Sequence, residues 1–178
     1  KADQIITFEN LSTKTYGDGE FSLSGLSDSG LPVTYSSNNS AVATVSGNTV
    51  TIVGAGSAII TASQIGDNYY NPATDIDKVL TINKVTLTAT AYSYSRLEGT
   101  NNPEFTISYG GLVGNDTILD IDIVPTASSS AVSASIAGEY DITVTGGVDN
   151  NYDLAYVNGI LTIYESPGLV GYWKLDDP

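Results

Sequence analysis

Carboxylates and tyrosines are the side chains in this sequence with the most chemistry to offer. The 178 residues hold 20 Asp and Glu and 12 Tyr, against 6 Lys and Arg and no His, Cys or Met. That composition removes thiol nucleophiles, imidazole bases and the usual soft ligands for zinc, copper and iron. Three acidic clusters stand out: Asp67-Asn68, Asp120-Ile121-Asp122 and Asp149-Asn150-Asn151-Tyr152-Asp153. Calcium takes roughly six to eight oxygen ligands, and loops of this kind supply several. Yet Asp and Asn are also what tight turns need for side-chain-to-backbone bonds, and Asp-Asn recurs here at matching repeat positions. The turn reading is preferred, so neither a metal nor any other cofactor is expected. Paired carboxylates can hydrolyse glycosides, but each candidate lies in a turn-rich repeat with no aromatic-lined cleft. No catalytic residue and no enzymatic activity are expected.

The tyrosines divide into two sets. Tyr69, Tyr70 and Tyr152 follow an Asp-Asn turn and precede a strand, where a buried ring with a bonded hydroxyl pins a corner. Tyr92 and Tyr94, in "TAYSYS", stand two residues apart, which on a strand places them on one face. An exposed pair of that kind stacks on sugar rings, so Tyr92 and Tyr94 are the candidate ligand-binding residues.

The elements that must position these groups are strands. Alternating or β-branched runs recur from Gln4–Phe8 to Gly159–Tyr164, separated by Gly, Asn, Asp, Ser or Pro. "AVATVSGNTVTIV" reads as a hairpin turning at Gly47-Asn48. One stretch departs from this rhythm: Asn115 or Asp116 could cap a helical turn over Thr117–Asp120. The fold class is therefore all-β, as two tandem β-sandwich (Ig-like) domains, the second becoming β-grasp-like if that turn is a true helix.

Self-similarity supports two repeats. "GSAIITASQIGDNYYNPATDIDKVLTINK" from Gly56 aligns with "GEYDITVTGGVDNNYDLAYVNGILTIYE" from Gly138, and Gly17 aligns with Gly99 at the same 82-residue offset. The repeats span 1–83 and 84–165, joined without a linker, which predicts a stiff connection. Residues 166–178 form a tail. A formal net charge of -14 opposes nucleic-acid and anionic-lipid binding, and no apolar run is long enough to span a bilayer. The start, "KADQIITFEN", lacks a signal-peptide core, so the sequence reads as an internal piece of a longer chain.

Three families come into view on these residues. "LPVTYSSNNSAVATVSGNTVTIVGAGSAIITASQIGDNYYNPA" resembles the bacterial group-2 Ig-like domains over most of Thr7–Asn83. The second repeat is similar to the bacterial MBG repeats through Asn102-Pro103, "GLVGNDT" at Gly111–Thr117 and "DNNYDLAYVNGILTI" at Asp149–Ile163, with Glu98-Gly99 in place of that family's Tyr-Gly pair. "GLVGYWKLDD" in the tail resembles the first strand of laminin-G-like, concanavalin-type domains. These resemblances imply a non-catalytic rigid spacer or adhesion stalk in a large bacterial protein, extracellular or at the cell surface, monomeric in solution. Its partners would be neighbouring domains of the same chain and an extracellular glycan. The alternatives they imply are a carbohydrate-binding module or an accessory segment of a polysaccharide-degrading enzyme.

Overall fold

A computed structural model describes residues 1–167; Gly168–Pro178, and with them the reading of the tail as the opening strand of a further domain, lie outside the described residues. The described chain is all-β, with sixteen strands and one three-residue 3-10 turn. It divides into two compact units. The first comprises Lys1–Leu87, Gly111–Asp122 and Val148–Asp153; the second comprises Thr88–Gly110, Ile123–Gly147 and the chain from Leu154.

The strands of the first unit are β1 (Ile6–Thr7), β2 (Lys14–Thr15), β3 (Phe21–Ser22), β4 (Leu26–Ser27), β5 (Thr34–Ser37), β6 (Ala43–Ser46), β7 (Thr49–Ile52), β8 (Gly56–Ser63) and β9 (Ile76–Asn83). One sheet has the order β2-β9-β8-β5 and a second the order β3-β7-β6, while β1 pairs with β4. Period-two alternation decides which side chains meet between the sheets. Ala58, Ile60 and Ala62 of β8 and Leu80 and Ile82 of β9 turn inward onto Ala43 of β6 and Val50 of β7. The β6–β7 hairpin closes at Gly47-Asn48 as expected, with Ser46 opposite Thr49. Gly47 has φ +60 and Asn48 does not share the positive φ, the pattern of a turn that needs glycine only at its first central position.

Chain order continues with β10 (Val85–Ala91), β11 (Tyr94–Leu97), β12 (Ile107–Gly110), β13 (Thr126–Ser129), β14 (Gly138–Thr145), β15 (Tyr152–Val157) and β16 (Gly159–Tyr164). The sheets are β12-β10-β15 and β11-β16-β14-β13. The core of the second unit gathers Ala89 and Ala91 of β10, Ile142 and Val144 of β14, and Leu161 and Ile163 of β16.

The two four-stranded sheets share one topology. In each, a short early strand runs parallel to the closing strand: Lys14 lies opposite Ile82 and Arg96 opposite Ile163. In each, the closing strand is antiparallel to an eight-residue strand that starts at a glycine of positive φ, Gly56 or Gly138. The 82-residue sequence repeat is thus one sheet built twice.

The helical stretch differs from expectation. It is a single 3-10 turn, Ile118–Asp120, and its cap is Thr117 rather than Asn115 or Asp116. The Thr117 hydroxyl accepts from the Leu119 amide, while the Asp120 carboxylate accepts from both the Thr117 amide and its hydroxyl. That reciprocal box satisfies the turn's free donors locally. A three-residue turn offers no helix to pack across a sheet, which is what a β-grasp arrangement needs.

Candidate functional site

A polar cluster lies in the first unit, where Tyr16, Asp116 and Tyr152 converge. Tyr16 follows β2, and its amide donates to the Asn83 carbonyl at 2.9 Å, continuing the parallel ladder by one bond. Tyr152 opens β15 and is only 3% exposed. The two rings meet edge to face, with centroids 5.7 Å apart and planes at 86°, an arrangement the aromatic quadrupoles favour. Both hydroxyls donate to one carboxylate oxygen, Asp116 Oδ2, at 3.0 Å from Tyr16 and 2.7 Å from Tyr152. The Tyr152 hydroxyl also accepts from the Val113 amide at 3.0 Å.

Burial, reinforced by the bond to Asp116, pushes both tyrosines up to about 12. A phenol that donates to a carboxylate holds its proton, because losing it would set two negative charges against each other. Gly17, next to Tyr16, has φ +88, and a Cβ there would stand 2.8 Å from Val113 Cγ2. Only glycine fits.

The acidic clusters are occupied by turn bonds. Asp149, buried, accepts at Oδ1 from the amides of Asn151 (2.6 Å) and Tyr152 (2.9 Å), and at Oδ2 from the Asp122 amide (3.2 Å). Asp122 Oδ2 accepts from the backbone and side-chain nitrogens of Asn150. Asp67, the counterpart of Asp149 one repeat earlier, makes the same turn by accepting from the amides of Tyr69 and Tyr70 at 2.7 and 2.8 Å. These are the side-chain-to-backbone bonds the turn reading calls for. The bonds from Thr117 hold the Asp120 carboxyl below its ordinary value. Among the described residues, no group of three His, Cys, Asp or Glu converges as metal ligands would.

Asn151 extends this network. Its Oδ1 accepts from the Ala55 amide at 2.8 Å, and its carbonyl accepts from the Val85 amide at 3.0 Å. Lys84 Nζ donates to the Asp149 carbonyl at 2.8 Å. What this arrangement supplies is a set of anchors: two phenols, a carboxylate and an amide that fix 111–122 and 148–153 within the first unit.

The tyrosines singled out in the sequence take different places. Tyr152 is a corner tyrosine with a bonded hydroxyl, as expected. Tyr70 is half-buried, but Tyr69 is 76% exposed and pins nothing with its ring. Tyr92 and Tyr94 do not form a stripe. Tyr92, 55% exposed, lies between β10 and β11 rather than on a strand. Tyr94 begins β11 and turns into the core of the second unit, its ring 5.8 Å from Phe105 and its hydroxyl 2.7 Å from Thr106 Oγ1. The break at Tyr92-Ser93 destroys the period-two register that a shared face requires.

Two buried polar features had no sequence signal. In the first unit Gln4 donates to Gln64 Oε1 at 2.8 Å and to the Asn71 carbonyl at 2.6 Å. In the second, the guanidinium of Arg96 is buried and bonds Asn102 Oδ1 and the carbonyls of Leu97 and Val132. Apart from Asn102, six positions from Arg96, the partners are far apart in the chain or belong to the backbone.

Residues 87–162 match the family model of the MBG domain (YGX type). No curated protein matches the sequence. Among solved structures, the S-layer protein rSbsC is similar at 16% identity with a TM-score of 0.32. Domains 1-6 of the surface layer protein SbsC are similar at 16% identity with a TM-score of 0.31. Each alignment covers 92% of this chain and 28% of the other, so the chain spans little more than a quarter of the length of those structures. Of these comparisons it is the family match that speaks to the second repeat: residues 87–162 carry the MBG pattern, with Glu98-Gly99 standing where the first repeat has Tyr16-Gly17.

Proposed function

We propose that this chain is a non-catalytic spacer or adhesion module of a larger bacterial protein, working outside the cell or at its surface and built to carry load along the polypeptide. In this reading 1–83 is a group-2-type Ig-like domain, 84–165 an MBG-like domain, and 166–178 the start of a laminin-G-like neighbour. The match of 87–162 to the MBG domain supports a structural role. The observation that carries the mechanical part is the parallel pairing of β2 with β9 and of β11 with β16. Tension enters a repeat near its first strands and leaves through its closing strand. A parallel pair pulled this way is sheared, so its bonds must yield together, whereas an antiparallel hairpin pulled at its open end unzips one bond at a time.

Single-molecule pulling tests this directly. The sequence has no cysteine, so paired Lys1→Cys and Glu165→Cys substitutions give unique end-to-end handles. Ser57→Cys with Thr81→Cys instead grips an exposed, directly opposed pair on the antiparallel β8 and β9. The end-to-end direction is expected to resist several-fold higher force than the 57–81 direction at equal loading rate. Equal or lower end-to-end force removes the load-bearing role. A glycan-binding role rests on Tyr92 alone, since Tyr94 is half-buried. Glycan-array binding abolished by Tyr92→Ala would shift the reading to a carbohydrate-binding module.

A further inference from the structure

Tyr16 and Glu98 occupy the same place in the two sheets. Each follows the strand that runs parallel to the closing strand, and each donates its amide to the closing strand's last carbonyl, Asn83 or Tyr164, at 2.9 Å. Each precedes a glycine of positive φ, Gly17 at +88 and Gly99 at +77. Ala55 and Ala137 correspond in the same way, one residue ahead of Gly56 and Gly138. The partners of these two alanine amides are different. The Ala55 amide donates to Asn151 Oδ1 at 2.8 Å, a side chain of the following repeat. The Ala137 amide donates to Glu98 Oε1 at 2.5 Å, a side chain of its own repeat.

We propose that Glu98 is an internal cap: it fills the position through which the first repeat receives the repeat after it, and so closes the second repeat to docking by a further repeat of the same type. With tyrosine at this place, the side chain reaches away from the alanine amide to Asp116 and Tyr152, and that amide stays free for an incoming Asn. With glutamate, the carboxylate takes the amide in a charge-assisted bond, and no phenol is presented to an incoming Asp and Tyr. One residue type thus sets whether the next repeat is held or left unbound. Arrays of stacked repeats commonly need such an atypical terminal member, because an unfilled docking face is a liability. The inference stands independently of the load-bearing role.

Amide hydrogen exchange by NMR on the full chain tests it, with the core amides of Ile142 and Leu161 reporting that the fold is kept. Glu98→Ala and Glu98→Tyr are expected to speed exchange at Ala137 by roughly tenfold or more, the scale of a lost bond to a charged acceptor; Glu98→Gln, which keeps an acceptor oxygen, restores protection. The reciprocal change moves the cap. In Tyr16→Glu, the introduced carboxylate is expected to protect the Ala55 amide even when Asn151→Ala is added, although Asn151→Ala alone exposes it. The same Tyr16→Glu change should release the amides of Val85 and Val113, whose acceptors are Asn151 and Tyr152. Tyr16→Phe should leave the dependence of Ala55 on Asn151 intact. An Ala137 amide indifferent to Glu98→Ala, or an Ala55 amide that stays dependent on Asn151 in Tyr16→Glu, overturns the proposal.

Discussion

Asp116 ties two phenols together, because both donate their hydroxyl protons to one of its oxygens. Asp116→Ala leaves the hydroxyls of Tyr16 and Tyr152 without their shared acceptor and should destabilise the first unit by about 1–3 kcal/mol in chemical denaturation. The same cluster predicts alkaline sensitivity. Tyr16 and Tyr152 titrate near 10 in the unfolded chain and at about 12 when folded. Their raised values add stability that is fully present below pH 10 and is lost as pH climbs to about 12. Denaturation midpoints should fall across that window, and Tyr16→Phe, which removes one of the two groups, should flatten the fall. A midpoint unchanged up to pH 12 contradicts it. Only part of this cluster was legible in the sequence. Tyr152 announced itself by following an Asp-Asn turn. Tyr16 lies 100 positions from Asp116, and nothing local says that they meet.

Elements were easier to read than residues wherever the information is local. The β6–β7 hairpin followed from Gly47-Asn48 flanked by alternating β-branched residues, and the long strands β8, β9, β14 and β16 followed from their alternation. β1 lies within the alternating run Gln4–Phe8, but the two-residue strands β2, β3 and β4 are too short to show a period, and long-range pairing decides them. The Tyr92–Tyr94 stripe failed for the converse reason: the sequence alternates there, but the chain breaks between β10 and β11. Leu161 on β16 gives the element-scale test. It is fully buried between Ala89, Ala91, Ile142 and their neighbours. Leu161→Ala should cost about 2–5 kcal/mol. Exchange of amides on β14 and β16 should report the loss, whereas a shift under 1 kcal/mol would mean that this core is much looser than its burial indicates.

For the molecule as a whole, charge and connectivity matter most. A formal net charge of -14 on 178 residues makes copies repel one another at neutral pH. Solubility, followed by turbidity, should drop as pH falls toward the isoelectric point near 4.1, and should recover on returning to neutral pH. A chain equally soluble at both would show that repulsion is not what keeps it dispersed. The 82-residue repeat was visible in the sequence because glycine, Asp-Asn and Leu-Thr-Ile keep register. That the first compact unit recruits Gly111–Asp122 and Val148–Asp153 was not visible, since its contacts link positions tens of residues apart.

That recruitment also sets an order of assembly in time. A ribosome or export channel delivers the chain from its N-terminus, so Lys1–Leu87 emerges complete in sequence yet without two of the segments that finish its packing. Translation at roughly 5–20 residues per second imposes a wait of several seconds before Asp116, Asn151 and Tyr152 arrive. During that wait Tyr16 and the Ala55 amide face water. Lys1–Leu87 is therefore made well before its packing is complete, and its closure waits until the chain has been delivered as far as Asp153.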